Sequence, residues 1–252
     1  MRACLLLLAD GRFPAGGHAH SGGLEAAVTA GLVGDLRTLD RFLRGRLRTA
    51  GLVAAALAAA ACEHARGPAD ADGWAVLDAE ADARTPSPAQ REASRRQGRA
   101  LLRAARTAWP DARGLADIAG GAGRADGPGG PDGPDDPGRA GRAGRAGRAG
   151  GERPHHPVVL GAAVAAGGGD PAEAALVAAY QAVTGPAGAA VRLLSLDPIE
   201  VNGLLARLAG DIDDIGDAAA SARRGELPYA SAPALDLLAE VHARSEVRLF
   251  AS

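Results

Sequence analysis

Asp170-Pro171-Ala172-Glu173 opens an apolar run, Ala174-Ala175-Leu176-Val177, and its grammar decides the fold. An acidic or hydroxylated residue flanks the helix, proline takes the first helical position, and Glu or Gln takes the third. The flanking side chain accepts from an orphan backbone amide, and the third residue can reach back to the flanking residue's own amide. The pattern recurs at Ser87-Pro88-Ala89-Gln90 and at Asp197-Pro198-Ile199-Glu200. Each such cap contributes on the order of 1 kcal/mol. Working outward, Asp35 is placed to cap a helix through Leu36, Leu39, Phe42, Leu43 and Leu47, apolar positions at helical spacing. Gly51 either breaks or loosens that helix before an Ala-rich run to Cys62. Shorter helices are expected over Leu24–Ala30 and Trp74–Ala83. A separate helix is expected over Ala187–Leu196, and a last one, capped by Ser231, through Leu235, Leu238 and His242.

Composition agrees. Hydrophobic residues make up 47% of the 252 residues but aromatics only 3%, with Ala, Leu and Val dominant. Ala and Leu lose least on entering a helix, whereas sheets draw on β-branched and aromatic side chains. We therefore expect an all-α single domain over 1–252, a bundle of roughly eight to ten helices. One discontinuity interrupts it. Residues 120–153 pass from a Pro/Gly/Asp run into repeated Gly-Arg-Ala, with no large apolar side chain to offset the entropy of ordering. They read as a low-complexity, disordered insertion.

Several function classes are excluded or weakened. The 28 basic residues are all arginine, which removes lysine-based nucleophiles, Schiff bases and the phosphate-loop lysine. Gly11–His18 has a phosphate-loop rhythm without its Lys-Ser/Thr ending. Two cysteines, Cys4 and Cys62, cannot form a disulfide framework. The apolar start ends at Asp10, too short for a secretion signal, and Leu52–Cys62 is about half a membrane span. The chain reads as cytoplasmic. No HExxH, CxxC pair or Ser-His-Asp ordering nominates a catalytic centre.

The histidines offer modest chemistry. His18 and His20 sit two apart in the loop Phe13–Gly23, where neutral imidazole suits nickel or zinc only if other ligands converge. His155-His156 adjoins the insertion. His64 ends a helix, where the dipole explains it. Asp211, Asp213, Asp214 and Asp217 read as a solvated surface turn and helix start.

Two stretches carry a narrower signal: Phe13-Pro14-Ala15-Gly16-Gly17-His18-Ala19-His20-Ser21-Gly22-Gly23-Leu24-Glu25, and the end from Leu235 through His242 to Arg248-Leu249-Phe250-Ala251-Ser252. Together they resemble the two ends of the urease accessory protein F family, UreF. Arg91–Leu102, His156–Gly161, Tyr180 and Ala189–Leu193 resemble that family's central and later helices. The chain departs from it in carrying His18 and His20 where aromatic residues are frequent. The resemblance implies a non-catalytic homodimeric chaperone for nickel insertion into apo-urease. It would bind a UreD/UreH-type accessory protein and the UreG GTPase, modulate the GTPase's nucleotide cycle, and involve neither nucleic acid nor membrane. It implies no tightly bound cofactor, with nickel in transit. Partner contacts would fall on His18, His20, Ser21, Glu25, Arg248, Leu249 and Phe250, and transient nickel contact on His18 and His20. Arg248 suits a bidentate ion pair. Phe250 suits either an interface anchor or packing on its own bundle. The competing expectation is an α-helical nucleic-acid-binding regulator using the arginine-rich arm, whose binding would fall steeply with salt.

Overall fold

The structure is a computed structural model that describes residues 3–10, 13, 20–68, 70–123, 154–222, 226–245 and 249–250. Among these residues the chain is all-α. In order the helices are α1 (Ala3–Ala9), α2 (Leu24–Thr29), α3 (Leu36–Arg46), α4 (Leu52–Arg66), α5 (Ala71–Ala83), α6 (Pro88–Ala108) and α7 (Arg113–Gly123). They continue as α8 (His156–Ala166), α9 (Pro171–Leu194), α10 (Pro198–Arg207), α11 (Ala209–Ala220) and α12 (Pro233–Ala243). A π turn at Leu47–Gly51 joins α3 to α4, so Gly51 loosens the helix without breaking it. The described residues thus form eleven continuous helices, just above the expected number.

Local chemistry sets most of the starts. Asp35 Oδ1 accepts from the Thr38 amide at 2.7 Å, and Thr38 Oγ1 accepts from the Asp35 amide at 3.0 Å, a reciprocal cap for α3. Asp170 and Glu173 do the same for α9. Asp70 caps α5, which therefore begins three residues before Trp74. The other two helices expected to carry this cap, α6 and α10, depart from reciprocity. Asp197 accepts from Ile199 rather than from Glu200. Ser87 accepts from Gln90, but the returning carboxylate comes from α12, where Glu240 Oε1 accepts from Ser87 Oγ at 2.5 Å and from the Ala89 amide at 2.9 Å. Ser231 does not cap α12. Ala232 flanks that helix with no side-chain cap, and Pro233 at its first position has no amide to satisfy.

The core is built around α4. Its residues Ala55 through Cys62 are buried on nearly all sides against α8, α9 and α11. Small side chains make this crossing possible. At Gly161 of α8 an added Cβ would lie 2.2 Å from the Ala58 carbonyl oxygen, so the two helices touch backbone to backbone. The continuous helix Leu36–Arg66 and α9 are long and apolar enough to span a membrane, but most of their apolar stretches are buried inside the bundle.

Two further expectations are corrected. α9 does not end before Ala187; it runs unbroken from Pro171 to Leu194 with Pro186 inside it. Proline removes the amide that would bond the carbonyl four residues back, here Ala182. Arg46 Nε supplies the missing donor at 3.0 Å. Likewise residues 120–123 belong to α7, which is anchored by buried Leu115 and Ile118, and not to the expected insertion. The remainder of that insertion, 124–153, lies outside the described residues.

Candidate functional site

A cavity of about 650 Å³ lies among the N-terminal segment, α4, α6, α8, α9 and α12. One wall is made by the two helix irregularities. The π turn brings Gly51 against Ala182 of α9, where an added Cβ would come within 3.2 Å of the Ala182 Cβ. Arg46 sits at the junction and holds the carbonyl that Pro186 frees. Gly22 backs it: its φ of +60° is one L side chains avoid, and an added Cβ would lie 3.0 Å from both Arg46 Cζ and Pro186 Cγ. Loop, π turn and proline therefore meet at one guanidinium.

The cavity lining also includes Ser94, Gln97, His155 and His156. Burial, with a smaller contribution from the nearby His20 charge, pushes the His156 imidazole down to about 4, so it is neutral at physiological pH. His155 is fully buried. Its Nδ1 lies 3.0 Å from Ser94 Oγ, and its Nε2 lies 2.9 Å from Asp82 Oδ1. Its amide donates to Asp78 Oδ1 at 2.9 Å. Arg95 closes the set, donating to Asp78 at 2.9 Å and to Asp82 at 2.8 Å. Burial lowers the His155 pKa despite its acidic neighbours. Burial opposes ionisation of Asp82, but the His155 hydrogen bond and the Arg95 charge outweigh it and hold that carboxyl below the usual range.

Asp78, Asp82 and His155 are the one group of three potential metal ligands among the described residues. Arg95 donates to both carboxylates and His155 bonds Asp82, so the group serves as a junction between α5, α6 and the entry to α8. Ser94, His155 and Asp82 also fall in the order of a hydrolase relay, which the sequence did not reveal. Ser94 Oγ, however, accepts the His156 amide at 3.2 Å, and Asp82 is shared with Arg95. The hydroxyl is holding backbone, not poised for attack.

The two chain ends meet beside α2. Buried Ser21 accepts from the Glu25 amide at 3.2 Å, fixing the start of that short helix. Glu25 is itself 7% exposed, and its carboxylate is a clasp: Oε1 accepts from the Leu249 amide at 2.7 Å and Oε2 from the Phe250 amide at 2.9 Å. His242 Nε2 stands 3.3 Å from both Glu25 Oε2 and the Phe250 carbonyl. The Phe250 ring is buried with the Arg192 guanidinium 4.4 Å above it, whereas the Leu249 side chain is 74% exposed.

The structure thus brings together Ser21, Glu25, Leu249 and Phe250, and places His20 in the cavity wall. His18 and Arg248 lie outside the described residues. Phe250 packs on its own bundle, the second of the two roles open to it. The acidic run opens α11, the helix start expected of it, and continues along that helix rather than forming a turn: Asp213, Asp214 and Asp217 are exposed, and Asp211 pairs with Arg44 and Arg48. His64 is held by the Asp70 carbonyl at 3.1 Å and packs edge-on to Trp74.

Fold and site together define an all-α bundle with a lined cavity and a tail clasped to the start of the chain. Comparison with known proteins gives this architecture a family. The UreF family model matches residues 33–209. A urease accessory protein UreF of Mycobacterium sp. strain JLS is 44% identical over 248 residues, covering 98% of this chain and 97% of the relative. Those of Mycolicibacterium vanbaalenii and Mycobacterium marinum are 44% and 41% identical, each over 250 residues, covering 99% of this chain and 98% of the relative. The chain belongs to the urease accessory protein UreF family.

Proposed function

We propose that this chain is a chaperone of urease maturation that works through its surfaces and performs no bond chemistry. It acts in the cytoplasm as a homodimer that engages a UreD/UreH-type accessory protein, holds the UreG GTPase, modulates its nucleotide cycle, and lies on the route of nickel into apo-urease. The observation that carries this reading is the identity of 44% across 98% of the chain to a relative named as a urease accessory protein. The clasp supports it locally. Exposed Leu249 is presented to a partner while buried Phe250 anchors the tail beneath it. Nickel would be cargo here and not a resident cofactor, and His18 and His20 are the imidazoles we assign to meet it in passing.

The test is co-purification of the tagged chain with UreD/UreH-type and UreG partners, read by size-exclusion chromatography with light scattering. A stoichiometric complex is expected, and it should be lost when Arg248–Ser252 is removed. A chain that runs alone in every combination overturns the proposal.

A further inference from the structure

The cavity contains a cation to which the described residues give no counter-charge. Arg46 uses Nε to hold the Ala182 carbonyl, one of the five N–H donors a guanidinium carries. Its other nitrogens have no partner among the described residues, and neither acid in the cavity wall, Asp10 or Asp236, is paired with it. Part of its surface opens onto the cavity, yet it lies deep enough that burial alone brings its pKa down to about 10. It is therefore still charged at neutral pH. The other arginines in the wall are engaged. Arg84 pairs with Glu80 and donates to the Leu227 and Pro228 carbonyls, and Arg192 lies over Phe250. Desolvating an ion is unfavourable unless an opposite charge or a full set of hydrogen bonds compensates it, and one carbonyl supplies a single bond. Capping one carbonyl does not account for the charge.

We propose that Arg46 is the receptor for a carboxylate that enters this cavity. The planar guanidinium offers parallel donors that match the two oxygens of a carboxylate. A single uncommitted cation fits a monoanion; a phosphate dianion calls for a second, which the described wall does not offer. The surroundings define the rest of the ligand. Val53, Leu57 and Leu160 give apolar surface, and Gln97 and Thr184 give neutral polar groups, so the carboxylate arrives on an apolar stem. The volume is that of a small-molecule site. Two sources share this chemistry: a free organic acid, and an Asp or Glu side chain of a bound protein.

The test titrates butyrate into the full-length chain while arginine Nε–H resonances are followed by ¹⁵N NMR. Butyramide serves as the uncharged isostere. Saturable movement of one arginine resonance is expected, at least about tenfold weaker with butyramide, as the loss of a charge-assisted contact requires. Arg46→Gln should abolish it. If that variant fails to fold, the butyrate and butyramide pair on the unaltered chain decides. No saturable movement, or equal movement with the amide, overturns the proposal. A second arm repeats the titration in the complex with a UreD/UreH-type partner, and only this arm rests on the proposed function. Loss of butyrate binding there assigns the carboxylate to the partner; retention assigns it to a free acid. Failure to form the complex leaves the first titration decisive.

Discussion

The junction around His155 and the clasp at Glu25 both fasten distant parts of the chain with buried polar groups, and they do it on different plans. The junction sets two carboxylates, Asp78 and Asp82, against Arg95, with Arg91 3.9 Å from Asp82 as a weaker second cation. Its charged members are all helix side chains, and they pair with one another as well as with the His155 amide. The clasp uses one carboxylate, and what it holds is main chain: two consecutive amides near the end of the sequence. A network of compensating charges fails badly when one sign is removed, because the other is stranded in protein. A carboxylate holding backbone amides can hand them to water or to another acceptor. The first plan suits a permanent join, the second a releasable one.

The largest expected effect follows from stranding charge. Arg95→Ala leaves Asp78 and Asp82 facing each other in a region where the Arg95 side chain was only 13% exposed. We expect a loss of about 3 kcal/mol of folding stability, within the range for breaking one partner of a buried pair. Urea denaturation monitored by circular dichroism measures it. A loss below about 1 kcal/mol, the level of an exposed pair, would show that the junction is solvated and erase the contrast with the clasp.

Acid sharpens the contrast from the same side. Burial depresses the pKa of both His155 and His156, the latter to about 4 against an ordinary 6.5. The unfolded chain therefore binds more protons than the folded one between those limits. Stability is complete above about pH 6.5 and is lost as pH falls. From His156 alone the loss by pH 5 is about 2 kcal/mol. His156→Gln should flatten that slope in denaturation series between pH 7 and 5. An unchanged slope would place the acid sensitivity elsewhere in the molecule.

What was legible in the sequence follows the reach of each interaction. Caps formed by residues two to three apart could be read directly, which is why the starts of α3, α6, α9 and α10 matched expectation. The continuity of α9 could not, because the donor that rescues it at Pro186 comes from Arg46, 136 positions away from Ala182. His155 looked like a weak feature beside a glycine-rich stretch; its partners lie 61 to 77 residues upstream, across that stretch. For Phe250 the sequence offered an interface and a core with equal force. Only the position of Glu25 and Arg192 chooses the core. The family resemblance singled out both chain ends, but not that they meet, and the carboxylate-to-amide geometry that joins them has no sequence signature.

The smallest effect on stability is expected at the clasp, and it is the more informative one. Glu25→Gln keeps one oxygen to accept an amide but turns an NH₂ group toward the second donor, so one buried amide loses its partner. We expect about 1 kcal/mol of global stability to be lost, near the net worth of one hydrogen bond. Local protection should change far more: hydrogen exchange at the Leu249 and Phe250 amides should accelerate toward that of an open tail, with the rest of the bundle unaffected. If the tail is the releasable element, the variant should also capture its partner differently from the parent while melting almost as the parent does. If instead Glu25→Gln lowers stability as much as Arg95→Ala, the clasp is a structural join like the other. The tail would then meet partners only through the exposed face of Leu249.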